Sequence, residues 1–172
     1  QSTGNNALEN MDNIRAYPLT ENFYNLLDNF NDFKSIARNW EISQDILNLD
    51  RKIRILKTHH TLCQINNYSF TNYKNSLGAI YIVRDPRKVV LSNANHYQVA
   101  LDESLKQLSS GIVIGEDILL THVGTWSSNY NSWKEFKKLD RYLLIKYEDL
   151  ILKPRETFIL ILEFIHKLTK TK

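Results

Sequence analysis

Three short apolar runs in this sequence each end in a polar cluster able to do chemistry. "KIRILK" (52–57) leads into Lys57-Thr58-His59-His60. "GAIYIVR" (78–84) ends in Arg84-Asp85-Pro86, and "RYLLIKY" (141–147) ends in Lys146-Tyr147-Glu148-Asp149. A strand that merely reverses direction usually ends in Gly, Asn, Asp or Pro. These three end in cations, an imidazole pair and an aromatic hydroxyl. Lys57 and Arg84 are cationic at neutral pH, and a helix opening at Asp85-Pro86 would add free N–H groups and a positive dipole end. That set suits an anion. A histidine beside cations stays neutral more readily, which suits it to act as a base. Ser92 lies eight residues after Arg84. On a helical wheel Val89, Val90, Asn93, Ala94 and Tyr97 share one face, and Ser92 falls outside it, so core packing does not account for it.

The elements that must position these groups are read from periodicity. The three runs are rich in Ile, Val, Leu and Tyr, and the second and third are nearly continuous, as strands covered on both faces are. "DPRKVVLSNANHY" (85–97) reads as a helix capped by Asp85 with Pro86 at its first position. "PRETFILILEFIHKL" (154–168) reads as a helix buried on most faces. "GEDILLTHVGTWSSNYNSWKEFKKL" (115–139) reads as one long amphipathic helix bent at Gly124. "QLSSGIVIG" (107–115) reads as a loop. Residues 1–50 read as mostly helical around "RAYPLT", with Thr20 capping "TENFYNLLDNF" and Ser43 capping "SQDILNL". Alternating strands and helices predict one α/β domain over residues 1–172 with a parallel sheet. In such a sheet the carboxyl ends of the strands lie along one edge, where ligands bind.

Composition narrows the function. The 172 residues carry a net charge of +3, with 42% hydrophobic and 24% charged residues, ordinary values for a soluble domain. The mild positive excess favours small anions and lacks the dense Lys/Arg run of a nucleic-acid arm. The one cysteine, Cys63, reads as a small buried residue and fits a reducing, cytoplasmic setting. No apolar run approaches the ~18 residues of a membrane span. The chain opens mid-pattern, so residues are expected before Gln1 and after Lys172. No His/Cys/Asp set suggests a metal. His96, His122 and His166 read as structural, His60 as structural or acceptor-side, and Lys167, Lys170 and Lys172 as a solvated basic end. Glu148 and Asp149 suit capping or loop bonding. Taken alone, Arg84 could equally pair with Asp85 or Glu148, and Tyr147 could simply pack.

In order, "LKTHHTL", "YIVRDPRKVVLS", "GTWSSNYNSW" and "LLIKYEDLILKPRE" resemble the sulfotransferases that use 3'-phosphoadenosine 5'-phosphosulfate (PAPS). The resemblance covers about residues 53–168, with the Arg84-to-Ser92 segment its most specific part. It implies a P-loop-NTPase-like parallel sheet flanked by helices in three layers. It implies that His59 is the catalytic base and that Lys57 stabilises charge near the transferring group. Arg84 and Ser92 match the pair that binds the 3'-phosphate of PAPS or its product PAP, and Tyr147 the tyrosine at the adenine end. Trp126 and Trp133 match aromatic positions with a packing role. The implied acceptor is a hydroxyl or amine of a small molecule or glycan, with no metal and no nucleic acid. Two family segments have no match: the donor-cradling Pro-Lys-Ser-Gly-Thr-Thr-Trp loop and a basic Gly-containing segment near the C-terminus. Either they lie outside this sequence, or the chain lacks them and does not transfer sulfate. The rival readings are a small-molecule kinase of P-loop type and a degenerate nucleotide-binding member.

Overall fold

The computed structural model describes residues 14–114 and 119–170. They fall into two compact units. Of the described residues, the first holds 14–59, 63–76, 114 and 119–121, and the second holds 60–62, 77–113 and 122–170.

The first unit opens with strand β1 (Arg15–Ala16), a 3₁₀ turn at Thr20–Phe23, and helices α1 (Phe33–Arg38) and α2 (Trp40–Leu47). Strand β2 (Leu56–Lys57) and a hairpin of β3 (Gln64–Ile65) and β4 (Tyr68–Ser69) complete it. β1 and β2 are parallel, with Arg15 opposite Leu56 and Ala16 opposite Lys57. The core is aromatic. Trp40 is fully buried, edge-on to Phe33 at 5.9 Å and to Phe70 at 5.4 Å. Tyr17 is buried beside them, and its hydroxyl meets Ser43 Oγ at 2.7 Å and donates to the Trp40 carbonyl at 3.0 Å. A buried phenol needs such partners.

Three expectations are corrected in this unit. Thr20 does not cap a helix: Leu19 holds the cap position of a short 3₁₀ turn, and the Asn22 side chain accepts the Leu19 N–H at 2.9 Å. Ser43 is interior to α2, because the helix starts at Trp40 and its indole anchors the core. The first strand is regular only at Leu56–Lys57. Upstream, the turn that ends α2 runs through residues 48–50, Arg51 takes φ 59°, and the Arg54 guanidinium binds the Asp50 carboxylate and the Leu47 carbonyl (2.7 Å), which leaves only an isolated bridge at Ile53 before β2.

In the second unit, β5 (Ala79–Val83) leads into α3 (Pro86–Tyr97) and α4 (Leu101–Ser110). Then come β6 (Ile112–Ile114), β7 (Thr121–Gly124), α5 (Trp126–Ser132), a 3₁₀ segment at Trp133–Leu139, β8 (Tyr142–Lys146), α6 (Tyr147–Leu152) and α7 (Pro154–Lys170). β5 and β8 are parallel, from Ala79 opposite Tyr142 to Val83 opposite Lys146. Gly78 immediately precedes this pair, and an added Cβ there would come within 2.6 Å of Leu168 Cδ1, so α7 packs close over the strand start. Phe136, Ile145 and Phe164 are buried in this unit.

The second and third strands and the Asp85-capped helix stand as the sequence predicts. Three other readings do not. Residues 107–110 are helical, and Gly111 at φ 97° ends α4 before β6, so this stretch is not a loop. Of the long helix expected over 115–139, residues 115–118 lie outside the described residues. The remainder holds β7, α5 and the 3₁₀ segment in succession. Gly124 separates rather than bends: it takes φ +70°, and Thr125 then caps α5 by accepting the Ser128 N–H. Helix α7 is present but less buried than expected, with Phe158 58% and Ile159 45% exposed. Among the described residues no helix is long and apolar enough to cross a membrane.

Candidate functional site

In the second unit the parallel register delivers two predicted site residues to one place. Val83 and Lys146 are opposite each other, so Arg84 and Tyr147 are the next residues beyond the two strand ends. The Arg84 guanidinium carbon stands 4.5 Å from the centre of the Tyr147 ring. Tyr147 opens α6, so helix geometry fixes its backbone at the strand exit. A guanidinium stacked on a phenol keeps its planar edge of N–H donors available for an oxyanion.

Asp85 is engaged elsewhere. Its side chain accepts the Arg87 N–H at 2.9 Å and forms an ion pair with the Arg87 guanidinium at 2.6 Å. Those hydrogen bonds hold its carboxyl down at about 2. The carboxylate therefore serves the first turn of α3 and its own arginine, not Arg84. Pro86 occupies the first turn as predicted.

Ser92 lies midway along α3 and is exposed. The opposite face explains why. Asn93 donates to Ser104 Oγ and to Gln107 Oε1, both at 3.0 Å, and Ser104 Oγ donates to the Val90 carbonyl at 2.8 Å. This latch, with Ala94 buried, fixes α3 against α4 and turns Ser92 outward. The sequence reading misses the latch because it assigns residues 107–110, the last turn of α4, to a loop. It also misses an open groove of about 630 Å³ between the first turn of α3, the second half of α4 and the start of α5. Leu108 and Trp126 line it. The Trp126 ring stacks on Tyr130 at 5.6 Å, so it both packs and borders the groove.

In the first unit, Lys57 closes β2, and His59 follows two residues later. His59 keeps solvent access. Partial withdrawal of its ring from water lowers its pKa below the ordinary value of 6.5, and the Lys57 charge lowers it further. The ring is therefore mostly neutral at pH 7 and able to accept a proton. His60 has the opposite environment. It is fully buried, and burial pushes its pKa down to about 4, with His122 adding to the effect. The adjacent pair thus divides into one solvent-facing imidazole and one enclosed imidazole.

Residues 5–171 match the sulfotransferase domain family. The mouse protein sulfotransferase 1 family member D1 is 31% identical over 131 residues, which cover 72% of this chain and 41% of that protein. The chain thus spans about two fifths of the length of this curated relative. A crystal structure of mouse sulfotransferase SULT7A1 complexed with PAP superposes with a TM-score of 0.54 at 19% identity, covering 89% of this chain and 57% of that one. The likeness shows a shared α/β fold.

Proposed function

Because the chain belongs to the sulfotransferase family, we propose that it serves a PAPS-dependent transfer of a sulfuryl group to a hydroxyl or amine of a small-molecule or glycan acceptor. PAPS supplies the sulfuryl group, and the residues of this chain bind, orient and deprotonate. Arg84 and Ser92 hold the 3'-phosphate, aided by the first turn of α3. Tyr147 carries Arg84 and borders the adenine end. His59 takes the proton of the acceptor as general base, a role worth ~10²–10⁴ in rate. Lys57 stabilises negative charge near the transferring group. Remote binding of the 3'-phosphate contributes orientation at the reacting centre.

The observation that carries this reading is the Arg84–Tyr147 stack at the carboxyl ends of two parallel strands, followed by a helix N-terminus. A cation held on an aromatic face beside the positive end of a helix dipole suits a phosphorylated nucleotide. A cytoplasmic setting belongs to the same reading. The sequence has one cysteine, Cys63, half-buried and not fully buried as expected, and desolvation pushes its thiol up to about 11.

Thermal denaturation with PAP, or with ATP plus Mg²⁺, tests the reading. PAP at ~100 times its Kd is expected to stabilise by roughly 2.7 kcal/mol, with no comparable effect of ATP–Mg²⁺. The reverse pattern would favour a kinase and overturn the proposal. In a transfer assay, His59→Ala is expected to abolish sulfuryl transfer and retain the PAP response. Turnover by that variant at the wild-type rate would remove His59 from its role.

A further inference from the structure

Helix α4 packs on α3 through one face and leaves the neighbouring face uncovered. Ser104 and Gln107 accept from Asn93 of α3, and Ser104 is fully buried. Leu101, Leu105 and Leu108 follow one another at helical spacing on the adjoining face. Leu101 is 52% and Leu105 55% exposed. A leucine stripe on an amphipathic helix ordinarily packs against a core. Here Leu105 and Leu108 line the open groove instead, with Pro86 and Val90 of α3 and Trp126 of α5 as its other apolar walls. The indole wall is held in place. Trp126 stacks on the Tyr130 ring, and the Lys134 ammonium lies 3.9 Å from the centre of that ring. All of these residues belong to the second unit.

Charge is separated along this face. Arg87, in the first turn of α3, is the charged side chain that lines the groove, and Lys88 follows it. Asp85 offsets one of these cations through its ion pair with Arg87, so this end of the face keeps a positive excess. At the other end, the first turn of α4 carries Asp102 and Glu103, both exposed. Lys106, one turn further on, is the cation of α4 and stands between the two ends.

We propose that this face is where two copies of the chain associate, across a two-fold axis near Leu105 that sets the two α4 helices antiparallel. Self-complementarity selects a second copy as the occupant. The groove offers apolar walls and a cationic rim, and an insert that fits it needs an apolar side chain with carboxylates beside it. The start of α4 has both, in Leu101 and the Asp102-Glu103 pair. The axis carries Leu101 toward Leu108 and Trp126 of the second copy, and the acidic turn toward the basic end of the second copy's α3. Each copy then serves once as groove and once as insert, and the contact closes on itself. A parallel arrangement would bring the two basic ends together, which is unfavourable. An indole and an arginine within an apolar patch are also the residue types enriched in interfaces. The patch is small beside the ~800 Å² per partner of a standard interface, so a dissociation constant on the order of 10–100 µM is expected. The proposal depends neither on His59 nor on sulfuryl transfer.

Sedimentation equilibrium of the full chain, from roughly 5 to 200 µM, tests the proposal, with thermal melting as a control for folding. The wild type is expected to be dimeric at the upper end and to dissociate on dilution. Leu101→Glu and Leu105→Glu place a carboxylate at positions already half exposed, and each is expected to raise the dissociation constant at least about tenfold. Asp102→Lys is expected to raise it about three- to tenfold. A second arm uses a Cys63→Ser background. Leu105→Cys, beside the axis, is expected to form a disulfide-linked dimer under mild oxidation, at least about tenfold faster than Glu163→Cys on the exposed face of α7. A wild type that stays monomeric over the whole range overturns the proposal. So does a dimer that both leucine variants leave intact, because its contact lies on another surface. Should Leu105→Glu fail to fold, the cysteine arm decides: preferential linking through Leu105→Cys supports the two-fold contact, and equal rates for the two cysteines reject it.

Discussion

A guanidinium lying over a phenol ring at 4.5 Å is a modest interaction by itself, worth ~0.5–1 kcal/mol at an exposed site. Its value is in holding five N–H donors in a fixed plane. Removing the cation has the larger consequence. Arg84→Ala is expected to weaken PAP binding roughly 10- to 100-fold, the loss of a charge-assisted hydrogen bond of ~1.5–3 kcal/mol. Tyr147→Phe is expected to keep the platform and most of the affinity, whereas Tyr147→Leu loses it. The double variant separates the two duties of the tyrosine. If Tyr147 carries Arg84 in the bound state, Tyr147→Leu costs about two- to fivefold less in the Arg84→Ala background than in the wild type. Strict additivity in calorimetric titrations would show that the stack does not persist with nucleotide bound.

At the scale of elements, the position of α3 matters because it carries Ser92 and, at its first turn, presents the positive end of its dipole next to Arg84. Asp85 sets that first turn. Asp85→Ala is expected to lower stability by ~1 kcal/mol and the melting temperature by about 2–4 °C. Asp85→Asn keeps an acceptor for the Arg87 N–H and is expected to recover most of the loss. Equal melting temperatures for the two variants would assign the effect to charge and not to the cap. This cap and the strands around it were legible in the sequence because their signals are local: an apolar run, then Asp-Pro, then helical spacing. β5, β8 and the start of α7 share that property. The stretch from Gln107 to Leu139 was not legible, because two residues at positive φ, Gly111 and Gly124, decide it. A glycine within apolar periodicity reads equally as a bend or a break. The site divides in the same way. Arg84 and Tyr147 could be paired from sequence because both end strands of a parallel pair. The hydrogen bonds that tie His60 and Leu62 to Trp133 and Ser132 could not, since these partners lie 70 residues and more along the chain.

At the scale of the whole molecule, pH is the variable that reaches every group at once, and His60 gives it a definite sign. Its pKa in the folded chain is about 4, against about 6.5 when unfolded. Between those values the unfolded chain binds the proton and the folded chain does not, so stability falls as pH drops from 6.5 toward 4. The span of ~2.5 units corresponds to an upper limit of about 3 kcal/mol. The carboxylates act in a lower window. Asp50 and Asp85 are held below the usual carboxylate range by Arg54 and Arg87, so their contribution is lost mainly below pH 4. Melting curves of the wild type are therefore expected to shift down by several degrees between pH 6.5 and pH 4.5. His59 shares the direction of the shift but keeps solvent access, so its contribution is the smaller. His60→Gln, which cannot ionise, is expected to flatten the curve across this interval even though it lowers the melting temperature at pH 7. A variant whose melting temperature falls as steeply as the wild type's over the same interval would show that His60 is not the group that senses acid.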